Sequence, residues 1–288
     1  MELLQQGKPF YRGNLHCHTT KSDGAWSPEQ VIQTYQELGY DFLAITDHRR
    51  VTVPACRMVG SMLVLPGIEL DYTLPEEVVH IVGFGMVENI LPYLNYELGP
   101  QNGVNAIRAC GGRAIIAHPH WSLNTMATLM GIHGASAAEV YNTVSYMRPD
   151  SSNILDVTAA HGKLYPMVAS DDSHAYAGEQ GVSFTMVQAE TLTSEAIKAA
   201  MDQGLFYASQ GPGFRRIAIE DGQLVVETSP VSTVYFQSNL AWTPGRIVRG
   251  EKITHASYPL NLAQGERFVR CQVIDAQGKS AWCSPIAL

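Results

Sequence analysis

The sequence predicts an α/β fold with parallel strands, followed by a small antiparallel β domain. Two observations predict the first part. Short apolar runs typical of buried strands recur along the first 210 residues, and helix-forming segments separate them. Beyond residue 211 only short alternating or β-branched runs occur, with turn signals between them. We therefore divide the chain into residues 1–210 and residues 211–288, and we expect the second part to be sandwich-like.

Capping signals predict the first helix and the strand after it. Ser27 is a suitable N-cap, a proline follows at the first helical position, and Gln30 can complete a capping box. Gly39 is expected to end the helix in the left-handed conformation. The run 41–46 is then predicted to be a strand, which places His48 just beyond its C-terminal end.

The later elements follow from the same kinds of signal. In the first part, strands are predicted over residues 62–65, 78–84, 113–117, 137–141, 164–169 and 205–209, and helices over residues 104–110 and 194–203. In the second part, hairpin strands are predicted over residues 216–220, 223–228, 233–237, 246–253, 268–274 and 280–286.

Histidines and carboxylates cluster at the ends of these runs. His16 and His18 are two residues apart near a strand end, so their side chains project to the same side. Similar residues occur in Thr46-Asp47-His48, Gly67-Ile68-Glu69, Ala117-His118-Pro119-His120 and Ser170-Asp171-Asp172-Ser173-His174, and His80 lies within an apolar run. A parallel barrel keeps its active site at the C-terminal strand ends. Converging imidazoles and carboxylates would repel one another or stay unpaired without cations, so the pattern predicts a metal site.

These motifs resemble those of the PHP (polymerase and histidinol phosphatase) family of metal-dependent phosphoesterases. They are His-x-His-Thr-x-x-Ser-Asp-Gly, Thr-Asp-His, Gly-x-Glu, His-x-x-Gly-x-Gly, Ala-His-Pro and Ser-Asp-x-Ser-His, in this order within residues 12–210. The resemblance implies a distorted (β/α)7 barrel with two to three divalent metal ions. It also implies a first metal on His16, His18, Glu69 and Asp172, a second on Glu69, His80 and His118, and a third on Asp23, His48 and His174.

The ligand types indicate hydrolysis. Imidazole with carboxylate suits Mn, Fe or Zn, and the lack of Cys among the candidate ligands argues against a closed structural zinc site. A bridging Glu69 would hold two metals about 3.5–4 Å apart, close enough to activate a shared water. We therefore expect a metal-bridging hydroxide to attack a small phosphate ester of the nucleotide or sugar phosphate type. Hydrolysis of an amide or a lactone is an alternative, because activated hydroxide is not selective for phosphorus.

Two positions near the motifs are ambiguous. Of the pair Asp171-Asp172, the spacing favours Asp172 as the ligand, because it lies two residues before His174. With Glu69, it is expected to be essential for catalysis. His120 could contact the substrate or donate a proton to the leaving group, or it could lie in a surface loop.

Substrate contacts are predicted from positive and polar side chains that follow the motifs. A guanidinium could hold phosphate in a bidentate contact, or it could pair with a surface carboxylate. The candidates are Arg49, Arg50, Asn142, Arg148 and Tyr176.

Composition limits the partners and the compartment. The formal net charge of -8 disfavours long nucleic acids, whereas a small anion remains possible beside metal cations. The N-terminus lacks a signal-peptide pattern and no stretch is long and apolar enough to span a bilayer. Five cysteines without a CxxC motif favour a reducing cytoplasm, although a cross-strand pairing of Cys271 with Cys283 stays open.

Aromatic residues of the second part have two interpretations. They could form the core of the β domain, or they could form a surface that binds a ligand. The second interpretation makes the chain a binding module in which the barrel is a scaffold. The residues concerned are Tyr235, Phe236, Trp242, Tyr258 and Trp282.

Overall fold

The structure is a computed structural model that describes residues 1–288, and it confirms an α/β fold with parallel strands. The strands are β1 (Glu2–Leu4), β2 (Phe10–Asn14), β3 (Phe42–Ile45), β4 (Arg57–Val59), β5 (Met62–Thr73), β6 (Val78–Phe84), β7 (Arg113–Ile116), β8 (Ala137–Asn142), β9 (Met167–Ser170), β10 (Phe184–Gln188), β11 (Phe206–Ser209), β12 (Phe214–Glu220), β13 (Gln223–Ser238), β14 (Ile247–Pro259), β15 (Phe268–Ile274), β16 (Ser280–Cys283) and β17 (Ile286–Ala287).

The α-helices lie mainly in the first part of the chain. They are α1 (Pro28–Glu37), α2 (Pro100–Ala109), α3 (Met126–Gly131), α4 (Ser152–Ala160) and α5 (Ser194–Asp202). Short 3-10 helices span Leu91–Tyr93, Tyr96–Leu98 and Leu262–Gln264. None of the helices combines the length and the apolar character that crossing a membrane requires.

Local signals place the first helix where the sequence predicts it. The Ser27 hydroxyl accepts the N–H of Gln30, and the Gln30 side chain accepts the N–H of Ser27, which completes the capping box. Gly39 follows the helix with a φ of 73°, a conformation that costs glycine little. The chain then enters β3 one residue later than predicted.

The strands around the predicted site are not uniformly parallel. β2, β3 and β5 form parallel pairs, and so do β7, β8 and β9, but β6 runs antiparallel to both β5 and β7. The expected parallel arrangement is therefore interrupted at β6. In this pairing His80 lies opposite Asp71 in the middle of the ladder, so His80 approaches the site from within a strand.

No strand ladder joins β9 back to β2, so the sheet does not close and the (β/α)7 barrel is not confirmed. β2 instead continues the sheet through an antiparallel pairing with β10. Beyond the ends of β2 and β9, an isolated parallel bridge connects Cys17 with Ser173. The His18 N–H donates to the Ser173 carbonyl at 2.9 Å, and the Asp172 N–H donates to the His16 carbonyl at 2.9 Å. These two bonds bring distant motifs side by side.

The second part is antiparallel, as predicted, but β12, β13 and β14 are longer than predicted, whereas β15 has the predicted bounds. β13 unites two predicted strands, and register shifts between Glu227 and Thr233 let it pair first with β12 and then with β15. A pairing of β11 with β16 makes the second part continuous with the first, so a separate sandwich is not confirmed. The unpredicted β1 pairs with β12 and ties the N-terminus to this part.

Most of the large aromatic residues in the second part are core residues. Phe236, Tyr258 and Trp282 are buried, whereas Trp242 is 77% exposed. Trp282 packs with the hydrophobic cluster of the first part and stacks on Tyr141 of β8, with ring centroids 5.6 Å apart. The predicted ligand-binding aromatic surface is therefore not formed by these buried side chains.

The cysteines are all free thiols in this structure. Cys17 is buried beyond the end of β2, between the candidate ligands His16 and His18, and its thiol donates to the Ala44 carbonyl. Cys271 and Cys283 are neighbours, because the Cys271 N–H donates to the Cys283 sulfur at 2.9 Å. The open question of a disulfide between them is thus answered in favour of two buried thiols.

A buried ion pair joins the two parts of the chain. The Arg270 side chain on β15 is fully buried, and its guanidinium donates to both carboxylate oxygens of Asp156 on α4, at 2.5 and 2.6 Å. Bidentate geometry of this kind fixes the orientation of both side chains. A buried guanidinium without its carboxylate would be left uncompensated, so this pair holds α4 against the second part.

We expect Asp156→Ala to lower the free energy of unfolding by about 3 kcal/mol, because it leaves the buried Arg270 charge without its carboxylate partner. The double replacement Asp156→Leu with Arg270→Met removes both charges and should recover most of that loss. Urea unfolding would measure both effects. Asp202→Ala, which removes a more exposed partner of Arg113, is the matched control and should cost less than about 1 kcal/mol. A similar small loss for Asp156→Ala would contradict the role of this pair.

Candidate metal centre

Glu69 lies at the centre of a group of imidazoles. Its side chain is 1% exposed and projects from the middle of β5. Its two oxygens contact different sets of nitrogens. Oε2 lies 3.2 Å from His16 Nε2, 3.1 Å from His18 Nε2 and 3.3 Å from His48 Nδ1, while Oε1 lies 2.8 Å from His80 Nδ1 and 3.4 Å from His118 Nε2. One carboxylate therefore serves two neighbouring donor groups.

The first donor group consists of His16, His18, Glu69 and Asp172. Asp172 Oδ1 lies 3.1 Å from both His16 Nε2 and His18 Nε2. Four donors about 2.0–2.1 Å from a tetrahedral zinc-sized ion lie about 3.3–3.4 Å apart, which is close to these separations. All four residues are buried, so the group is compact.

The second donor group consists of Glu69, His80 and His118. His118 lies just beyond β7 and adopts a φ of 30°, which is unusual for a residue other than glycine. Its Nδ1 contacts the Ser122 hydroxyl at 2.8 Å, and this contact orients Nε2 toward Glu69. The group therefore has two imidazoles fixed on the second oxygen of the bridging carboxylate.

The third donor group contains Asp23, His48 and His174, as the resemblance implies, and the structure adds His18 to it. Asp23 Oδ2 lies 3.5 Å from His48 Nε2 and 3.4 Å from His174 Nε2. Gly24 permits the tight turn that presents Asp23, because a Cβ there would lie 2.7 Å from the backbone of His18. This group is the most open of the three to solvent.

Two further side chains orient the ligands from behind. Buried Glu139 accepts from His16 Nδ1 at 2.9 Å and from the His118 N–H at 2.8 Å. Asn142 donates to Glu139 at 2.7 Å and to Asp172 Oδ2 at 3.2 Å. Partners of this kind select the tautomer of a ligand imidazole and hold its ring in place. The two residues thus couple the positions of His16, His118 and Asp172.

The loop after β9 is held in a strained conformation by a buried carboxylate. Asp172 and Ala175 have φ values of 53° and 65°, which carry a cost for residues other than glycine. Glu179 accepts the N–H groups of His174 and Ala175 at 2.7 and 2.8 Å, and also the Tyr146 hydroxyl at 2.8 Å. These bonds offset the strain and fix the loop that carries two candidate ligands.

The neighbouring Asp171 points away from the donor groups. Its carboxylate accepts the N–H groups of Gly181, Val182 and Ser183 and the hydroxyl of Tyr35. Burial raises the pKa of Asp171 to about 6, despite these hydrogen bonds. The structure therefore gives Asp171 a place in the scaffold and directs Asp172, the residue that the spacing favours, to the site.

The electrostatics of the groups couple imidazoles to carboxylates. Burial lowers the pKa of His18, but the close contacts and negative charges of Asp172 and Glu69 outweigh this effect and raise that pKa to about 9. Burial raises the pKa of Glu69, but His16 and the other imidazoles hold it well below its usual range. Protons and metal cations would therefore compete for the same nitrogens.

Two details fit cations better than protons. The Nε2 atoms of His16 and His18 lie only 3.2 Å apart and face the same carboxylates, so two N–H groups would crowd this space. In addition, His48 Nδ1 and Asp172 Oδ1 are buried without a hydrogen-bond partner. Buried polar atoms without partners are rare, and a metal ion would satisfy both.

A cavity of about 640 Å³ opens above the donor groups. Besides the ligands Asp23, His48, Glu69, His80, His118, Asp172 and His174, it is lined by Trp121, Val144, Ser145, Tyr146, Tyr176, Ala177 and Glu179. This volume lies in the range of small-molecule sites. Tyr176 is the one predicted substrate contact that the structure places in this lining.

The other predicted substrate contacts lie elsewhere. Arg49 donates to Asp71 at 2.8 and 2.7 Å and stacks on Tyr96, and Arg50 is exposed outside the cavity. Arg148 is also absent from the lining. His120 contacts the Asp150 carbonyl at 2.8 Å, in keeping with the surface-loop interpretation. Asn142 is buried behind the ligands.

Sequence reasoning did not identify Glu139, Glu179, Trp121 or Tyr146. Glu139 lies in the middle of an apolar strand, where a lone carboxylate requires a partner, and this was the one signal that pointed to it. The other three lie in loops without a motif. Their contribution depends on contacts with residues distant in sequence, which no local pattern reveals.

No protein-family model matches the chain. The 5′-3′ exoribonuclease Rnm of Salmonella typhimurium is 35% identical over 79 residues, which cover 25% of this chain and 27% of that protein. The DNA polymerase/3′-5′ exonuclease PolX of Bacillus subtilis is 34% identical over 71 residues, which cover 25% of this chain and 12% of that protein. The chain thus spans about a quarter of the exoribonuclease and about an eighth of PolX.

A solved structure extends the likeness to the whole chain. It is a two-domain protein from Bacteroides vulgatus that contains a predicted PHP-like metal-dependent phosphoesterase. The match has a TM-score of 0.57 and 14% identity, and it covers 99% of this chain and 97% of that one. At this identity the likeness shows the fold. The PHP-like fold that the resemblance of the motifs implies is thereby confirmed.

Proposed function

We propose that this chain is a metal-dependent phosphoesterase that hydrolyses a small phosphate ester. The observation that carries the proposal is the position of Glu69, whose two oxygens belong to two adjacent groups of metal donors. Paired metals on a shared carboxylate suit in-line displacement at phosphorus. The third group, around Asp23, lies beside them at the cavity, where charge on the phosphate oxygens would be offset.

The donor set fits two to three divalent ions such as Mn, Fe or Zn. It combines imidazole and carboxylate and contains no thiolate. Bound metals would lower the pKa of a water and neutralise negative charge on the ester. The protein's own contribution is orientation. Glu139 turns His16 Nε2 toward Glu69, and the Asp172 carbonyl accepts from His174 Nδ1 at 2.8 Å, which turns His174 Nε2 toward Asp23.

The cavity supports a small ester better than a long nucleic acid. None of its lining residues is Lys or Arg, and the chain has a formal net charge of -8. Binding to a phosphate backbone depends on several such cations. The exoribonuclease relatives match only a quarter of the chain, so an RNA end is the second substrate to test.

The division into two functional parts is also a proposal. Residues 1–210 would form the hydrolase, in which the seven strands β2, β3 and β5–β9 make a distorted barrel whose ends meet at the bridge between Cys17 and Ser173. Residues 211–288 would be an accessory part. The burial of Trp282 and Arg270 against the first part supports a structural role for it.

Glu69→Gln should lower metal affinity more than about 100-fold, since it removes the charge shared by two donor groups. Phosphate release from a panel of nucleotide, cyclic and sugar phosphate esters should fall with it. Metal content by mass spectrometry and turnover with added manganese measure the two effects. Glu190→Gln, at an exposed carboxylate far from the cavity, is the control. Full activity of Glu69→Gln under metal-controlled conditions would mean that the site is assigned wrongly.

Glu139→Gln should have a milder effect. The amide can keep one contact but not the charge that orients His16 and supports the N–H of His118. Replacing a partner that orients a ligand typically lowers metal affinity about 10- to 100-fold. Competition with a metal chelator would measure the change. An affinity equal to that of the unmodified protein would show that Glu139 is not needed to position the ligands.

The metal-free protein should lose stability as the pH rises from about 6.5 to about 9. The folded state raises the pKa of His18 to about 9, so it binds a proton that the unfolded chain releases near pH 6.5. This stabilisation is complete below pH 6.5 and disappears above 9. Each retained proton contributes about 1.4 kcal/mol per pH unit. Manganese replaces the proton, so metal-loaded protein should not show this decline. The midpoint temperature of thermal unfolding, measured across this pH range with chelator and with manganese, compares the two forms. An equal decline of this temperature in both forms would contradict the prediction.

A further inference from the structure

Exposed aromatic rings stand at the edge of the metal cavity. Trp121, Tyr146 and Tyr176 line it and are 44%, 64% and 69% exposed. Trp121 makes an edge contact with His118, with ring centroids 4.9 Å apart. Tyr176 lies parallel to His174 at 6.4 Å. Two of the donor groups thus each have an exposed aromatic ring directly beside a ligand.

The hydroxyl groups of this edge already donate within the protein. The Tyr146 hydroxyl donates to Glu179, and the Tyr176 hydroxyl donates to the Asp23 carbonyl at 2.7 Å. The Ser145 hydroxyl donates to Asn142 at 2.9 Å. What these tyrosines offer to a ligand is therefore their ring faces. A sugar phosphate without an aromatic ring would find few free hydroxyl donors here.

The charge of the cavity lining also favours a substrate whose remainder is uncharged. Its acidic side chains include Glu179 besides the candidate ligands, and no Lys or Arg lines it. A second anionic group on the substrate would meet carboxylates and not cations. The cavity, at about 640 Å³, is nevertheless large enough to enclose more than a phosphate. The part of the substrate beyond the phosphorus is thus expected to be uncharged.

We propose that the substrate carries a planar aromatic ring of nucleobase size, which stacks on Trp121 and Tyr176 while its phosphate lies at the donor groups. This inference rests on the proposed phosphoesterase function and names the substrate class of the same site. Stacking of bases on aromatic side chains is strong and tolerates different bases, because every base has a π-face. Trp121 and Tyr176 are then the residues that determine specificity.

Binding of two matched ligands to the full, manganese-loaded chain tests the proposal. Adenosine 5′-monophosphate and ribose 5-phosphate share the phosphate ester and the ribose and differ in the base. Isothermal titration calorimetry should give a Kd for the nucleotide about 5- to 100-fold lower. Trp121→Leu and Tyr176→Leu should each reduce this preference, and the double variant should abolish it. Trp242→Leu, at an exposed tryptophan of the second part, should retain it.

Several outcomes separate this proposal from the proposed function. Equal affinity for the two ligands, or a preference that survives in the double variant, would overturn the stacking site. Phenyl phosphate in the same titration distinguishes a single aryl ring from a nucleobase, and tighter binding of phenyl phosphate would overturn the assignment of ring size. Hydrolysis of p-nitrophenyl phosphate and bis(p-nitrophenyl) phosphate is measured independently. If the unmodified protein hydrolyses neither ester but still prefers the nucleotide in the titration, the proposed phosphoesterase function is rejected and the stacking site is retained.

Discussion

The structure depends on one buried carboxylate that is shared by two donor groups. Glu69 lies in the middle of β5, and each of its oxygens faces imidazoles from a different part of the chain. Such a concentration of charge and of ring nitrogens cannot be buried without compensation. Protons can supply part of it, as the raised pKa of His18 shows, but two imidazole Nε2 atoms 3.2 Å apart leave little room for two N–H groups. Metal cations would resolve this conflict.

The surrounding fold keeps this centre rigid. The bridge between Cys17 and Ser173 joins the first and last ligand motifs, and Glu139 links His16 to His118. Glu179 holds the strained loop after β9 by accepting the N–H groups of His174 and Ala175. The β-rich second part adds support from below β8, because Trp282 stacks on the strand that carries Glu139 and Asn142. The second part thus contacts the strand that carries two of the residues behind the ligands.

The chemistry of the cavity divides between its floor and its edge. The floor is made of donor groups that suit cations and, through them, a phosphate. The edge presents aromatic ring faces, while Tyr146 and Tyr176 use their hydroxyls to hold the neighbouring loops. Arg49, which the sequence offered as a phosphate clamp, is instead held by Asp71 and stacks on Tyr96. In the proposed function, the floor would therefore recognise the phosphate, and the edge would select among esters.

Sequence alone determined the cap of the first helix and most strands, because capping boxes and strand-like apolar runs are local signals. The nine candidate metal ligands followed from the resemblance of the His, Asp and Glu motifs to those of the PHP family. Tertiary structure decided the rest. Only strand pairing could show that β6 runs antiparallel and that β13 spans two predicted strands, since register depends on partners distant in sequence. Likewise, Arg50 and Arg148 come shortly after predicted site segments in the sequence but lie outside the cavity. Trp121 and Glu179, which were not predicted, line it. A side chain's place in a site is set by which loops pack together, and loop packing leaves no periodic trace in the sequence.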